Sequence, residues 1–372
     1  MGSFGNAQIA IGLDVGSEHV RLAQVKRSGS GYSLVSYGVV DLPMGAVVEG
    51  EIVDPDSTAA AIRDVVRQSG ARGKDVNIGV ANQRVIVRLV DLPYMERDEL
   101  AGAIQYQAQD YIPMAVEDSV IDFQIIGDYM TPADEHMMEV LLVAAHRDMI
   151  GNVVAAVDKS GLRLGSVDVS SFAIVRALLG ADATAAFADD EGLATGVVHV
   201  ASSLTNISVV ERGVPRFTRI SSLAGGQFTQ AIARALDITY EQAEALKVRV
   251  GLPSVDGSAT PAPADVQPEV VQAVHDCLER EVSKFIAEIR RSLDYYLTQT
   301  SQVKAIRRIL LTGSGAQLLN LAKYLEKGLQ AQVLLGDPLA TIGVASSVRQ
   351  RVEGDRMGCA TAIGLALGGL QS

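Results

Sequence analysis

Small and acidic residues at one strand-to-strand turn could bind a phosphate group and a divalent cation. The segment from Ile9 to Val25 reads IAIGLDVGSEHVRLAQV, in which an apolar run ends at Asp14 and alternation resumes beyond Gly16 and Ser17. This pattern predicts two strands joined by a short turn. The small residues would let backbone N–H groups approach phosphate oxygens, and Asp14 could hold Mg²⁺ through water. An aspartate here could also simply cap its own turn, and that alternative stays open.

The same pattern returns half a chain later, in the segment 197–210, which reads VVHVASSLTNISVV. Aligning His199 with Asp14 places the small residues Ala201 and Ser202 on the glycine and serine of the first turn. Two such hairpins indicate a duplicated α/β domain, although any two edge hairpins share some of these features.

A third candidate site follows the apolar segment 306–311, where Gly313-Ser314-Gly315 leads into a predicted helix over 317–328. A strand, a Gly-rich turn and a helix N-terminus together offer free N–H groups and a favourable dipole to an anion. Glycine at such a junction can also just relieve crowding. Together with the two hairpin turns, the junction predicts a cleft between two like domains.

Composition limits the classes of protein to consider. At ~150 residues per domain, 372 residues predict two to three domains, and a net charge of −12 argues against a general nucleic-acid binder. Cys277 and Cys359 are far apart and form no CxxC pattern, which excludes a disulfide scaffold or a cysteine zinc site. No segment approaches the ~20 apolar residues of a membrane span, and the start has no secretory signal. We therefore expect a soluble, cytoplasmic protein.

The region between the hairpins contains more than a duplicated domain needs. Directly after the first hairpin, we predict a strand over 32–40 and then a helix that is capped within 56–58 and stops at Gly70. The extra block itself predicts a strand, a helix and two further strands, over 84–91, 96–111, 119–126 and 138–144. This order predicts a small inserted α+β module.

Helices dominate the region after the second hairpin. Gly225 and Gly226 lead into predicted helices over 228–236 and 240–248. Residues 253–269 are rich in Pro, Ala and acidic residues, which indicates a surface linker. A long helix over 273–297 carries apolar residues at spacings of three and four, and we expect it to face the core rather than form a coiled coil.

Taken in order, these motifs resemble the actin-like ATPase superfamily and, within it, the PilM family of type IV pilus assembly proteins, relatives of the cell-division protein FtsA. The segments that carry the resemblance are IGLDVGSEHVRL, LPYMERDELAGAIQYQAQDYIP, VASSLTNISVVERG, GGQFTQAIA with AEALK, and LLTGSGA. The resemblance spans nearly the whole chain. It implies an α/β actin-like ATPase fold with two duplicated α/β domains around a nucleotide cleft and an inserted α+β subdomain.

The resemblance also implies four subdomains. Each consists of one or more segments, namely 1–82, 148–195 and 345–372 for the first actin-like subdomain (1A), 83–147 for the inserted FtsA/PilM-type subdomain (1C), 196–224 and 303–344 for the second actin-like subdomain (2A), and 225–302 for the capping subdomain (2B). Subdomain 1C is the one implied to bind the partner.

The cofactors implied by the resemblance are ATP and Mg²⁺, and the family's contacts transfer position by position. The implied site residues are Asp14, Gly16, Ser17 and Arg21 on the first phosphate loop; Ser202, Thr205 and Asn206 on the second; Gly225 and Gly226 where the chain passes the nucleotide; Glu244 and Lys247 beside the ribose or base; and Gly313, Ser314 and Gly315 on the adenosine loop. Asp14 is the implied metal residue, and the family often has Lys in place of Arg21.

One position departs from the family pattern. The second phosphate loop usually carries an Asp followed two residues later by Gly, whereas this chain has His199 and Ala201. Losing the carboxylate removes a group that could bind Mg²⁺ or orient water, and neutral His does not replace its charge. We therefore expect nucleotide binding with, at most, weak ATPase activity.

The partner implied by the resemblance is the N-terminal cytoplasmic tail of the membrane protein PilN, held in a groove beside 1C. The chain would then be a nucleotide-binding scaffold of the inner-membrane pilus platform, recruited to the inner face of the cytoplasmic membrane without inserting into it. Self-association stays open. No nucleic acid is expected.

Two alternatives remain from the residues themselves. An actin-like ATPase or small-molecule kinase would need a carboxylate base, for which Asp168 and Asp237 are candidates, although both suit turn and helix caps. An FtsA-like cell-division protein would carry a basic amphipathic membrane helix at its end, but this chain ends GCATAIGLALGGLQS, which disfavours that reading.

Overall fold

The computed structural model describes residues 8–29, 31–180, 193–255, 257, 263–299, 303 and 305–371. Parts of the predicted linker over 253–269 and of the predicted first subdomain therefore lie outside the described residues. The strands are β1 (Ile9–Val15), β2 (His19–Ser28), β3 (Gly31–Asp41), β4 (Val47–Val48), β5 (Glu51–Ile52), β6 (Asp75–Val80), β7 (Val85–Pro93), β8 (Ser119–Met130), β9 (His136–His146), β10 (Arg163–Val169), β11 (Leu193–Val200), β12 (Thr205–Glu211), β13 (Val214–Ser221), β14 (Ala305–Thr312), β15 (Gln332–Leu335) and β16 (Gly343–Val344).

The α-helices pack around these sheets. They are α1 (Pro55–Ser69), α2 (Arg97–Ala108), α3 (Arg147–Lys159), α4 (Ser170–Leu179), α5 (Gly225–Leu236), α6 (Tyr240–Val250), α7 (Pro268–Gln299), α8 (Leu321–Leu329), α9 (Ser346–Glu353) and α10 (Ala360–Gly368), with short 3₁₀ turns at Val116–Asp118 and Ser314–Gln317. Across the described part of the chain, no helix combines the length and apolar character that a membrane crossing requires.

Two large sheets repeat one topology. In the first, β3, β2 and β1 are antiparallel, β6 and β10 continue in parallel, and β16 adds beside β3. In the second, β13, β12 and β11 are antiparallel, and β14 and β15 continue in parallel. The register repeats as well, because Asp14 lies opposite Arg21 and His199 lies opposite Asn206. The predicted duplication of the hairpin, with His199 aligned on Asp14, is confirmed.

The long helix α7 forms much of the core beneath the second sheet. Its predicted apolar stripe is buried, with Leu278, Val282, Phe285 and Ile289 all at 0% exposure. Phe285 meets Phe228 of α5 edge to face, with ring centroids 5.7 Å apart. Burial of each such side chain contributes about 1.5–3 kcal/mol to folding. The expectation that this helix faces the core is therefore confirmed.

Helix α1 begins earlier than predicted. Its N-cap is Asp54, whose side chain accepts hydrogen bonds from the N–H groups of Asp56 and Ser57, and not a residue within 56–58. Pro55 takes the first helical position, where its missing N–H costs nothing. The helix ends as expected at Gly70, which adopts a left-handed conformation with φ 67°.

The block between the large sheets is a separate three-stranded antiparallel sheet, in the order β7-β9-β8, with α2 packed on it. This confirms the predicted strand–helix–strand–strand order. Helix α2 ends at Ala108, before the predicted end at Tyr111, because the chain already turns ahead of Pro113. The exact subdomain boundaries stay predictions.

Candidate functional site

The turns of the two matching hairpins line one cleft between the large sheets. Each turn is closed by the same hydrogen bond, from Gly16 N–H to the His19 carbonyl (2.9 Å) and from Ala201 N–H to the Leu204 carbonyl (3.0 Å). The cavity between the turns has a volume of about 90 Å³. Of the predicted site residues, those that line it are Asp14, Gly16, Ser17, Arg21, Ser202, Asn206 and Ser314.

The first wall of the cleft carries a buried charge network. Arg21 holds the Asp355 carboxylate through two contacts, Nε–Oδ2 at 2.6 Å and Nη2–Oδ1 at 3.2 Å. The Tyr37 hydroxyl donates to the same carboxylate at 2.5 Å. The guanidinium of Arg21, which the resemblance places on the first phosphate loop, is therefore already paired with a carboxylate of this chain. Neither Asp355 nor Tyr37 could be linked to Arg21 from the sequence.

Asp14 lies beside this network. Burial raises the pKa of its carboxyl to about 6, although Arg21 lowers it and the nearby Asp355 raises it further. The carboxyl therefore titrates close to neutral pH instead of remaining ionised throughout. Such a group can hold a cation above pH 6 and loses that ability in acid.

The second wall is neutral and has unsatisfied polar atoms. His199 on β11 lies opposite Asn206 on β12 and beside Thr312 on β14. Three of their buried atoms, His199 Nδ1, Asn206 Oδ1 and Thr312 Oγ1, have no hydrogen-bond partner among the described residues. Burial and Arg21 lower the pKa of His199 to about 4, so its imidazole is neutral at pH 7. Buried polar atoms of this kind normally bind water or a ligand, and this end of parallel strands is where ligands bind in α/β sheets.

A carboxylate from the first turn crosses the cleft. Ser202 Oγ donates to Glu18 Oε1 at 2.5 Å, and the Tyr240 hydroxyl donates to the same oxygen at 3.2 Å. A carboxylate oxygen of the first turn therefore lies against the second turn. No local pattern could predict this contact, because Glu18 and Ser202 come together only when both hairpins are folded.

Gly225 and Gly226 support the second turn instead of lining the cavity. Their N–H groups donate to the carbonyls of Ala201 (3.0 Å) and Ser202 (2.8 Å). A Cβ on Gly226 would lie 2.9 Å from the Ser202 carbonyl oxygen, so the approach requires glycine. The first N–H groups of α5 are thereby bound to the turn.

The Gly-rich junction after β14 differs from the prediction. Residues Ser314–Gln317 form a 3₁₀ turn, and α8 begins only at Leu321, after Asn320 with φ 67°. The predicted helix over 317–328 was therefore wrong in its start, and no α-helix N-terminus follows the glycines directly. Gly313 has φ 92°, and a Cβ there would lie 2.3 Å from the Val200 carbonyl oxygen, so this position requires glycine.

The segment 354–359 touches both halves of the molecule. Asp355 binds Arg21 of the first hairpin. The Met357 carbonyl accepts a hydrogen bond from Gly313 N–H of the second half at 3.1 Å. Arg356 forms an ion pair with Asp337, which follows β15.

Thr205, Glu244 and Lys247 lie behind the cleft. Lys247 is 8% exposed, and its Nζ contacts Glu244 (2.7 Å) and the Thr229 hydroxyl (2.8 Å). The Thr205 hydroxyl donates to the Leu223 carbonyl at 2.7 Å. These residues, together with Gly225, Gly226, Gly313 and Gly315, surround the cleft without lining its cavity.

The two carboxylates considered as kinase bases lie elsewhere. Asp168 forms an ion pair with Arg176 at 3.0 Å and caps Val169 N–H. Asp237 ends α5 in a left-handed conformation. Neither side chain lines the cleft cavity. In the described ranges, no cluster of three or more His, Cys, Asp or Glu residues could hold a metal ion.

A second feature is a groove between the inserted module and α4. Its cavity of about 280 Å³ is lined by Ile125, Ile126 and Leu141 of the module and by Phe172, Val175 and Arg176 of α4. The β8–β9 register shifts between Ile125 and Gly127, which makes Ile126 the extra residue of a β-bulge. The groove thus combines these apolar side chains with the guanidinium of Arg176 and the amides of Gln124 and Gln371.

Comparison with known proteins agrees with this architecture. A family model described as type IV pilus assembly protein PilM matches residues 12–370. The solved PilM-PilN type IV pilus biogenesis complex superposes with a TM-score of 0.80 at 24% identity, covering 98% of this chain and 99% of that chain. MreB 5 of Spiroplasma citri bound to AMPPNP superposes with a TM-score of 0.50 at 12% identity, covering 98% and 95%.

Cell division protein FtsA of Escherichia coli strain K12 is 27% identical over 227 residues, which are 57% of this chain and 52% of FtsA. The chain thus spans about half the length of that relative. The actin-like ATPase fold that the motifs implied is confirmed by these two solved structures. Since the PilM model matches nearly every residue, this chain belongs to the PilM family of type IV pilus assembly proteins.

Proposed function

We propose that this chain is a nucleotide-gated adaptor that binds ATP in the cleft and the N-terminal cytoplasmic tail of a PilN-like membrane protein beside the inserted module. The observation that carries the proposal is the pair of matched hairpins whose turns line one cleft. The tail would hold the adaptor at the inner face of the cytoplasmic membrane, next to the other proteins of the pilus platform.

The types of residue that line the cleft support nucleotide binding. Gly16 and Ser17 on one side and Ser202 on the other would contact the phosphates, while Ser314 lies at the side assigned to adenosine. The unpartnered atoms of His199, Asn206 and Thr312 would accept or donate hydrogen bonds to the phosphates or to water around Mg²⁺. Asp14 would hold Mg²⁺ through water, and the bound Mg²⁺–ATP would supply a polyanion that bridges the two turns.

The contact between Glu18 and Ser202 supports gating. Ligand pockets usually measure about 300–1,000 Å³, whereas this cleft holds about 90 Å³. A nucleotide must therefore part Glu18 from Ser202 and widen the cleft before it binds. Such opening would move the two sheets relative to each other. Nucleotide binding in the cleft would thereby change the shape of the groove between β8 and α4 and its affinity for the peptide.

We expect weak ATP hydrolysis because the second wall of the cleft carries no charged side chain at its facing pair. Its pair of facing side chains is His199 and Asn206, where the first wall has Asp14 and Arg21. Neutral imidazole and amide groups can position water but supply no charge to balance the transition state. ATP would then act mainly as a ligand.

The peptide would use the groove between β8 and α4. Strand β8 is at the edge of its sheet in the described part of the chain, so its outer backbone groups can pair with an extended peptide. Ile125, Phe172 and Val175 offer apolar surface for alternate side chains of that peptide.

The nucleotide part is tested by thermal unfolding with millimolar ATP, with and without Mg²⁺. Wild type should gain stability by mass action, and Asp14→Ala should lose the Mg²⁺-dependent part of that gain. Asp110→Ala is the control, since that side chain is exposed just after α2 and does not line the cleft cavity. No shift with any nucleotide would overturn the assignment of the cleft.

The peptide part is tested by fluorescence anisotropy with a labelled N-terminal peptide of a PilN-like protein, with and without ATP. Ile126→Glu in the groove should weaken binding more than tenfold, whereas Val248→Glu, 66% exposed on α6, should bind as wild type. Equal affinity of both variants would exclude this groove, and equal affinity with and without ATP would exclude gating.

A further inference from the structure

The end of the first sheet that lies away from the cleft brings three segments together. The parallel strands β1, β6 and β10 begin at this end, and the antiparallel strand β2 finishes there. Ile9 of β1 pairs with Lys26 of β2, and Asp75 of β6 pairs with Arg163 of β10. At about 4.8 Å between neighbouring strands, the four strands span roughly 14 Å. Residues 26–29, 70–75 and 158–163 therefore lie on one surface.

Cations outnumber carboxylates on this surface, which we call the basic edge. Its cations are Lys26, Arg27, Arg72, Lys74, Lys159 and Arg163, and its carboxylates are Asp75 and Asp158. Two of the cations are already neutralised, because Arg163 pairs with Asp75 and Lys159 pairs with Asp56, each at 2.8 Å. Among the described residues, the other four cations form no ion pair, and only Asp158 opposes them. The basic edge therefore has an excess of positive charge on a chain whose net charge is −12.

The unpaired cations are held on an ordered backbone and face solvent. Arg27, Arg72 and Lys74 are exposed, and Lys26 is half-buried. The buried Gln24 fixes the loop 70–74, since its amide accepts a hydrogen bond from Arg72 N–H at 3.3 Å and donates to the Arg72 carbonyl at 2.5 Å. Charges on a fixed loop lose less conformational entropy when they bind a partner. The basic edge is therefore preorganised for an anionic surface.

The basic edge lies at the same end of the first half as the groove between β8 and α4. A Cβ on Gly369 would lie 2.2 Å from Asn77 Nδ2, and Asn77 is two residues beyond Asp75 on β6. Gln371, two residues after Gly369, lines the groove. A membrane protein whose tail occupied this groove would therefore bring the basic edge towards the bilayer.

We propose that the basic edge binds the anionic headgroups of a membrane surface. The choice of a membrane among anionic partners rests on the proposed function, because the bound tail would place this end of the chain beside the bilayer. Lys and Arg side chains bind phosphate groups of lipids without entering the apolar layer. Four cations give a weak contact alone, and this contact would strengthen binding of the tail by holding both sites at one surface.

The test measures co-sedimentation of the full chain with vesicles, in the absence of nucleotide and peptide. Vesicles of equal parts phosphatidylglycerol and phosphatidylcholine should bind at least tenfold more tightly than vesicles of phosphatidylcholine alone, and ~0.5 M salt should abolish the difference. Hydrogen exchange should slow in 70–75 on the anionic vesicles. Equal binding to both kinds of vesicle, or binding that salt does not weaken, would overturn the proposal.

Two variants of equal net charge locate the contact. The first carries Lys26→Gln, Arg27→Gln, Arg72→Gln and Lys74→Gln, and it should bind anionic vesicles at least tenfold more weakly than wild type. The second carries Arg234→Gln, Arg280→Gln, Lys323→Gln and Lys327→Gln, which are exposed positions on α5, α7 and α8. This control should bind as wild type does. An equal loss in both variants would show that overall charge, and not the basic edge, controls binding.

Competition distinguishes a membrane from other anions. Octaglutamate or inorganic phosphate, at the same concentration of negative charge as the lipid, should leave the chain on the vesicles. Release by octaglutamate would assign the basic edge to an acidic protein, and release by phosphate would assign it to a free anion. The first variant should bind ATP and a PilN-like peptide as wild type does, so a failure of vesicle binding is distinguishable from a failure of the proposed function.

Discussion

Ser202 donates a hydrogen bond of 2.5 Å to Glu18, although the two residues are 184 positions apart in the chain. They lie on equivalent turns of a duplicated hairpin, one from each half of the molecule. The side chain that joins the halves is a carboxylate, and it lies against the turn that we propose as the second phosphate loop. The Glu18 carboxylate thus links the two turns across the cleft.

Glu18→Gln should increase ATP affinity about five- to tenfold. The amide keeps the size of the side chain but removes a negative charge that repels phosphate and accepts strongly from Ser202. Isothermal titration calorimetry gives the dissociation constants. Glu99→Gln, an exposed acid on α2, serves as the control and should bind ATP as wild type does. Weaker ATP binding by Glu18→Gln would mean that the carboxylate contributes to the nucleotide site.

Asp14→Asn should stabilise the fold at neutral pH. The pKa of Asp14 rises from 3.8 to about 6 on folding, so between these values the folded state binds more protons, and its stability falls as pH rises. The difference corresponds to roughly 3 kcal/mol above pH 6. Urea unfolding should show a gain of about 2–3 kcal/mol for the variant at pH 7.5 and almost none at pH 4. A gain that is the same at both pH values would contradict this account.

His199→Asp should raise ATP turnover at least tenfold above a slow wild-type rate. The substitution restores to the second wall a carboxylate that can orient water or bind Mg²⁺. Phosphate release measures the rate, and His199→Asn tests whether a neutral polar group suffices. Fast hydrolysis by the wild type would show that the neutral wall does not limit the reaction.

Asp355→Asn should destabilise the fold by about 2–3 kcal/mol, somewhat less than the ~3–5 kcal/mol of a fully buried pair. We expect a smaller loss of stability than for a fully buried pair because the Arg21 and Asp355 side chains remain 12% and 17% exposed. Urea unfolding at pH 7.5 measures the change. Asp64→Asn breaks the exposed pair with Arg67 and should cost less than ~1 kcal/mol. Similar costs for both variants would rule out a special role for Asp355.

Local patterns predicted much of the fold. The small residues Gly16 and Ser17, repeated as Ala201 and Ser202, aligned the two hairpins, and together with the Gly-rich junction they predicted a cleft between two like domains. Apolar periodicity likewise predicted the buried stripe of α7. Such features depend on residues close together in sequence, so the sequence shows them directly.

The partners that complete the cleft could not be predicted in this way. Asp355 reaches Arg21 from 334 positions away, and Tyr240 reaches Glu18 from 222 positions away. The start of α8 was mispredicted because Asn320 adopts a left-handed conformation, which delays the helix and which no local rule requires. Pairings over such distances depend on the packing of both sheets together.

The segment 354–359 limits how the two halves of the molecule can move relative to each other. It is fastened to the first hairpin through Asp355 and to the second sheet through the Met357 carbonyl, at one end of the cleft. In the proposed opening of the cleft, this segment would keep its two attachments and act as a pivot. The halves would then rotate about it instead of sliding apart, so a small displacement at the turns becomes a larger one at the distant edges of the sheets.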